Sequence, residues 1–415
     1  MCSVVILSKK KTALISLSVI VSLAIVIVVV VTSLPSTPFF QPRSGQLQND
    51  DEAEKSRITT NDSSSNNQTA ATTATIMPTT IDIVSTTSAF PFVQRWVAQY
   101  ENQQLAASGN VNVDYLADRE IIVAEGGGSD RSDLAIVGVP DENENNNNIL
   151  YVPVSAQAVA IVYNIPSFPD IPSGLRLNST TLFLILNGSI TRWDDAAIKD
   201  LNPSLNLPDE RIVVVHNDDD NNNISNSSTS SLVLLNQYLG LPSLSWPKND
   251  SIAASGPAEL AEMVRKIPYS VGFVDFSYAV QTRMTYAAIG GADGDYIVPS
   301  TQSIGRAVDV ALQFHNSSTD RSSSSQRQQQ PPPTINASRL VNGSYPIVGF
   351  YYAGLLTNDD KEGRDDVATL DFVKWIISEG GGQQTLLEVQ YPPIHPGNNK
   401  QLATYTKTTM DTISN

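Results

Sequence analysis

The chain has 415 residues, a formal net charge of −16 and one cysteine, Cys2. That length accommodates two domains with residues to spare. The acidity argues against a nucleic-acid partner, and a lone cysteine excludes an intrachain disulfide or a cysteine-rich zinc site. His216, His315 and His395 are widely spaced, so neither a metal nor a cofactor is expected.

The first element is apolar. Residues 12–34, "TALISLSVIVSLAIVIVVVVTSL", carry no charge and follow Lys9, Lys10 and Lys11. As a helix this run matches the roughly 30 Å hydrocarbon core of a bilayer. Lysines on its N-terminal side leave residues 1–11 in the cytoplasm and the globular part extracellular or luminal. A cleaved signal peptide is the alternative, although its apolar core is usually only about 7–15 residues. Residues 35–85 are rich in Ser, Thr and Asn and read as a disordered stalk. Glycosylation sequons lie at Asn61, Asn67, Asn178, Asn187, Asn223, Asn226, Asn249, Asn316, Asn336 and Asn342.

Folded sequence is expected from residue 86. "FPFVQRWVAQYENQQ" places Phe92, Trp96 and Tyr100 at helical spacing behind Pro91. "VNVDYL" (111–116) and "SDLAIVGVP" (132–140) read as strands, and "LYVPVSAQAVAIVYNI" (150–165) as a pair or one long bent strand. "STTLFLILNG" reads as a helix capped by Ser or Thr, and "RWDDAAIKDLNP" as a shorter one. "RIVVVH" is a continuous apolar run of the kind found in a central parallel strand. Helices are expected at 232–239 and 256–268, a strand and a helix start in "YSVGFVDFSYAV", and a strand in "TYAAIG". A helix in "SIGRAVDVALQFHN", a strand in "YPIVGFYYAGLL" and a helix in "VATLDFVKWIISEGG" follow, leaving 401–415 as a tail. Strands alternating with helices indicate α/β architecture. Polar tracts at 141–148, 218–231 and 317–334 read as surface insertions, which cost little in loop closure.

Several stretches carry a family resemblance: "AFPFVQRWVAQY", "NGSITRWDDAAIKDLNPSLNLPDERIVVVH", "PYSVGFVDFSYAV", "YPIVGFYYAGL" and "FVKWIISEG". In order and content they resemble the phosphate-binding proteins of bacterial phosphate uptake, over nearly all of 85–395. The resemblance implies a two-lobed, type 2 periplasmic-binding-protein-like fold with hinge strands. Lobe 1 then comprises 86–155 and 285–400, and lobe 2 comprises 156–284. The implied ligand is phosphate or another small oxyanion.

The implied site is altered. A family Thr before the Phe-Pro pair falls on Ala89, beside Ser88 and Phe90. A family Asp that accepts the ligand's proton falls on Gly138, and a family Arg falls on Asn217. Asp219 matches a family Asp, and the following Ser-Gly-Thr turn is replaced by an insertion ending in Thr229, Ser230 and Ser231. These last hydroxyls either cap a helix or contact an anion. Ser88 is either a turn residue or a contact, and Asp219 either bonds its own turn or orients a neighbouring loop. Phe90 and Trp193 are expected in the core.

Two functions therefore remain open: a membrane-anchored solute-binding protein with a degenerate site, or a surface receptor, adhesion or structural protein without a small ligand. No enzyme is expected, because the G-x-S-x-G and H-E-x-x-H patterns are absent and "EGGGSD" lacks the Lys-Ser/Thr ending of a P-loop.

Overall fold

The computed structural model describes residues 79–107, 111–118, 132–138, 140, 149–166, 174–218, 230–291, 293–313, 332–336, 339–356, 366–394 and 400–414. The expected anchor at 12–34 and most of the expected stalk lie outside the described residues. Among the described residues, no helix is long and apolar enough to cross a membrane.

The strands among the described residues are β1 (Thr79–Thr86), β2 (Val111–Asp118), β3 (Leu134–Val137), β4 (Ile149–Asn164), β5 (Arg176–Leu177), β6 (Val213–Asn217), β7 (Ser251–Ala254), β8 (Ser270–Asp275), β9 (Ala288–Gly290), β10 (Tyr296–Ile297), β11 (Leu312–Gln313), β12 (Thr334–Ile335) and β13 (Val348–Leu356). Eight of them form one mixed sheet in the order β2-β1-β3-β13-β4-β8-β6-β7.

β4 joins the two halves of this sheet. Its first part, from Ile149 to Ala158, pairs antiparallel with β13, and its second part, from Val159 to Asn164, pairs antiparallel with β8. The region that could be read as a pair of strands is thus a single strand. A register shift at Tyr351/Tyr352 of β13 lies opposite Pro153–Ser155, before that changeover. On one side β1 lies parallel between β2 and β3; on the other β6 lies parallel between β7 and β8. The nearly unbroken burial of β4 explains its run of Val and Ala, because both faces are covered.

The core divides into two clusters, the second of which also takes in Ala135 and Val137 of β3 and Phe350 of β13. Ile81, Phe92, Trp96, Phe372 and Tyr391 fill the first, where Phe92 packs edge-on against Trp96, Tyr351 and Tyr391. Leu182, Trp193, Val215, Leu260 and Phe273 fill the second. Trp193 is fully buried, as expected, and its indole N–H donates to the Tyr269 carbonyl at 2.9 Å. Residues 288–311 also meet this second core. β9 pairs with β5, and Ile304 and Ala307 of the helix Thr301–Ala311 are buried in it.

Three local expectations need correction. Residues 79–85, expected as stalk, belong to β1, because Ile81 and Ile83 alternate inward between more exposed threonine and aspartate. The 401–415 tail is largely a helix, Lys400–Ser414; Leu402, Tyr405, Thr406, Thr409 and Met410 share its buried face. The helix Ser179–Leu186 is capped by Asn178, whose side-chain oxygen accepts from the Thr181 N–H at 2.8 Å, and not by Ser or Thr.

The insertions at 141–148 and 219–229 lie outside the described residues. So does most of 317–334, although Thr334 at its end pairs with Gln313. Of the sequons, Asn249 and Asn342 are exposed, while Asn178, Asn187 and Asn336 are half-buried. Asn61, Asn67, Asn223, Asn226 and Asn316 lie outside the described residues.

Candidate functional site

A cleft of about 300 Å³ opens where the two halves of the sheet face each other. From the first half come Thr87 and Ser88, in a single 3-10 turn that leads into the helix Phe90–Ala106. From the second half come Asn217 at the end of β6 and Ser231 in the first turn of the helix Ser230–Leu239. Ser255, Gly256, Pro257, Ala258 and Glu259 follow, at the start of the helix Pro257–Lys266. Phe273, Val274, Asp275 and Tyr278 complete the lining.

Three long helices thus begin at this cleft. The first N–H groups of a helix have no partner within it and carry partial positive charge, so this arrangement suits a polar or anionic solute. Thr87, Ser88, Asn217, Ser231 and Ser255 add neutral hydrogen-bonding side chains. The described lining contains no Lys or Arg. It does contain two acids. Glu259 is held by Ser255, whose backbone N–H donates to its Oε2 at 2.7 Å. Among the described residues, no group of His, Cys, Asp and Glu is placed to hold a metal ion.

Asp275 lines the cleft and is only 4% exposed. Its Oδ2 accepts from the Tyr351 hydroxyl at 2.9 Å, and its Oδ1 accepts from the Ser277 N–H at 2.9 Å. Loss of hydration disfavours the charged form, while these donors partly restore it. The balance pushes its pKa from 3.8 up to about 6. The same burial pushes the Tyr351 hydroxyl far above its ordinary range. His216, beside Asn217, is held below its usual value by desolvation; it stacks on Trp246 with ring centres 4.7 Å apart.

The structure separates the residues singled out by sequence. Ser88, Asn217 and Ser231 line the cleft. Ala89 is fully buried and serves as the N-cap position of the helix Phe90–Ala106. Phe90 is not in the core: it is 41% exposed and stacks on Tyr115, 6.0 Å between ring centres. It faces outward because the helix buries Phe92, Val93 and Trp96 instead. Asp219 and Thr229 lie outside the described residues.

Gly138 and Ser230 meet each other. A Cβ on Gly138 would fall well inside contact distance of the Ser230 side chain, and 3.0 Å from the Gln157 Oε1. Gln157 of β4 fixes Ser230 by donating from Nε2 to its hydroxyl at 2.7 Å, and reaches the Tyr351 hydroxyl at 3.2 Å. The space that a carboxylate at position 138 would need is therefore filled by Ser230.

Sequence reasoning missed Thr87, the 255–259 turn and Asp275. Asp275 had a visible signal: an Asp between a strand and a helix start is a common N-cap, and its carboxylate does accept from the Ser277 N–H. Its burial at the cleft had no local signal.

Comparison with known proteins agrees with this architecture. A family model for a PBP superfamily domain matches residues 62–380. The phosphate-binding protein PstS of Xylella fastidiosa strain Temecula1 is 27% identical over 333 residues, covering 76% of this chain and 82% of that protein. PstS of Methanocaldococcus jannaschii is 27% identical over 335 residues, covering 73% and 80%. A solved high-affinity periplasmic phosphate-binding protein with bound phosphate superposes with a TM-score of 0.51 at 13% identity, covering 78% of this chain and 93% of that one. The matched span takes in both halves of the sheet and the cleft between them, and on that basis the chain belongs to the PBP superfamily, as a PstS-like protein with the α/β type 2 periplasmic-binding fold.

Proposed function

We propose that the protein is a solute-binding protein whose cleft takes a small oxyanion, with phosphate the first ligand to test. The observation that carries this reading is the convergence of three helix N-termini and five neutral hydrogen-bonding side chains on one cleft. The curated relatives are named as phosphate-binding proteins, which supports the same ligand class. Residues 12–34 are proposed to tether the globular part outside the cytosol. Alkaline carbonate washing should then leave the full chain in the membrane fraction, and its release would remove the tether from this reading.

Binding is expected to be weak. Asn217 stands where the resemblance places an arginine, and the described lining supplies two carboxylates and no cation. A charge-assisted hydrogen bond contributes about 1.5–3 kcal/mol. At about 1.4 kcal/mol per tenfold, its loss weakens binding roughly ten- to a hundredfold. Calorimetry of the full chain with phosphate at neutral pH is expected to give a Kd weaker than about 10 µM. Asn217→Arg, at the cleft wall, is expected to tighten it by about tenfold or more. A submicromolar constant for the unaltered protein would show that a cation reaches the ligand from elsewhere in the chain.

A second reading is a surface receptor or structural protein that uses the same fold without a small ligand. The filling of the position 138 space by Ser230 favours it. The absence of heat with phosphate, sulfate and organic phosphates from both the unaltered chain and Asn217→Arg would decide for this second reading.

A further inference from the structure

We propose that anion capture in this cleft is coupled to protonation of Asp275, so that the protein takes up a proton together with its ligand. The inference rests on the oxyanion reading and concerns the same cleft.

The geometry gives Asp275 this role. Asp275 lines the cleft while remaining almost wholly shielded from solvent, its carboxylate oxygens held by the Tyr351 hydroxyl and the Ser277 N–H. An anion entering the cleft therefore meets it through a poorly screened medium, where like charges repel more strongly than in water. No Lys or Arg in the described lining offsets that repulsion.

The groups facing Asp275 do not offset it either. Tyr351 on β13 donates a hydrogen bond to it, and Tyr391, after the turn Leu387–Val389, is a second buried phenol nearby. Both hydroxyls are held far above their ordinary pKa and remain neutral throughout the useful pH range. On the helix that follows Asp275, Ser277 and Tyr278 present backbone N–H groups. Glu259 lines the same cleft with the same sign of charge and is engaged by Ser255. Asp218, just beyond β6, is exposed and acidic. His216 on β6 stacks away on Trp246, and desolvation keeps it neutral to a lower pH than a free imidazole. Asp275 is thus the buried cleft group whose charge can be removed near neutrality, its pKa already raised to about 6.

Linkage fixes the sign. If the neutral carboxyl favours the anion, a bound anion raises the pKa of Asp275 further, and lower pH tightens binding. The arrangement also favours a ligand of low charge, such as a monoanion carrying its own proton, over a dianion.

The test is calorimetry of the full chain with inorganic phosphate between about pH 5.5 and pH 7.5, in buffers of different ionisation enthalpy, beside Asp275→Asn. Phosphate itself titrates in this range, so the readout is the difference between the two proteins. The unaltered chain is expected to lose about tenfold more affinity than Asp275→Asn as pH rises, and to take up a fraction of a proton that the variant does not. Tyr351→Phe provides a second arm. It removes a donor that favours the carboxylate, so its pH profile should move to higher pH. Superimposable profiles and equal proton uptake for the unaltered chain and Asp275→Asn would overturn the coupling while leaving the oxyanion reading intact. No binding by any of the three proteins at any pH would overturn both.

Discussion

Replacing Gly138 with aspartate is expected to destabilise the protein by more than about 3 kcal/mol. The substitution would restore the residue type that the family resemblance places there, yet the structure has no room for it. Even a single Cβ would collide with Ser230 at the start of the helix Ser230–Leu239, and Gln157 holds that serine in place. Overpacking of this kind typically costs about 1–3 kcal/mol. A carboxylate adds the cost of burial beside the Gln157 Oε1, which is itself an acceptor without a donor. Gly138→Ala should show the steric part alone, about 1–3 kcal/mol. Adding Ser230→Gly should recover most of that loss, since neighbours that share one space are not additive. Chemical denaturation of the three variants measures this. A Gly138→Asp protein that unfolds at the same denaturant concentration as the unaltered chain would mean that the two halves do not close on each other at this point.

The second large effect concerns the pH dependence of stability. The carboxyl of Asp275 titrates at about 6 in the folded protein, against 3.8 when unfolded and solvated. A shift of that size corresponds to about 3 kcal/mol. Its folded pKa is raised, so between these two values the folded state retains a proton that the unfolded state has lost. The contribution of Asp275 is therefore most favourable below about pH 4, declines as pH rises to about 6, and levels off above it. Asp275→Asn should abolish that decline, because an amide does not ionise. Its oxygen can still accept from Tyr351 or from the Ser277 N–H, so part of the network survives. Thermal melts of both proteins at several pH values provide the measurement. The expected result is two curves that converge in acid and separate toward neutrality, with the variant gaining on the unaltered chain. Parallel curves would mean that Asp275 is better solvated than its burial indicates. Such a gain on removing an ionisable side chain is characteristic of binding sites, where charge is retained at a cost to stability.

The class and order of the fold were legible in the sequence. Apolar runs and helical spacing are local signals, and they located the helix Phe90–Ala106, β4, β6 and the helix Pro257–Lys266 close to where they stand. The continuous apolar run of β6 correctly indicated a central parallel strand, because a strand covered on both faces needs no polar alternation. Elements with a weak local signal were misread. Half of the eight residues of β1 are threonine or serine, so its two buried isoleucines are hidden in a stalk-like composition. The C-terminal helix buries threonines and tyrosines as well as Leu402 and Met410, which blunts its apolar stripe.

The site was decided by tertiary structure. That Asn217 replaces an arginine and Gly138 an aspartate can be read from the chain, but not what fills the space left behind. Ser230 meets Gly138 only because tertiary packing brings the end of β3 against the start of the helix Ser230–Leu239. Asp275 looks like an ordinary helix cap in sequence, and it is one. It becomes a buried carboxyl beside the cleft only when β13 brings Tyr351 against it. Periodicity depends on neighbours three or four residues away and is encoded locally. Burial and the charge state of a side chain depend on residues that sheet pairing brings in from distant parts of the chain, and no local pattern records them.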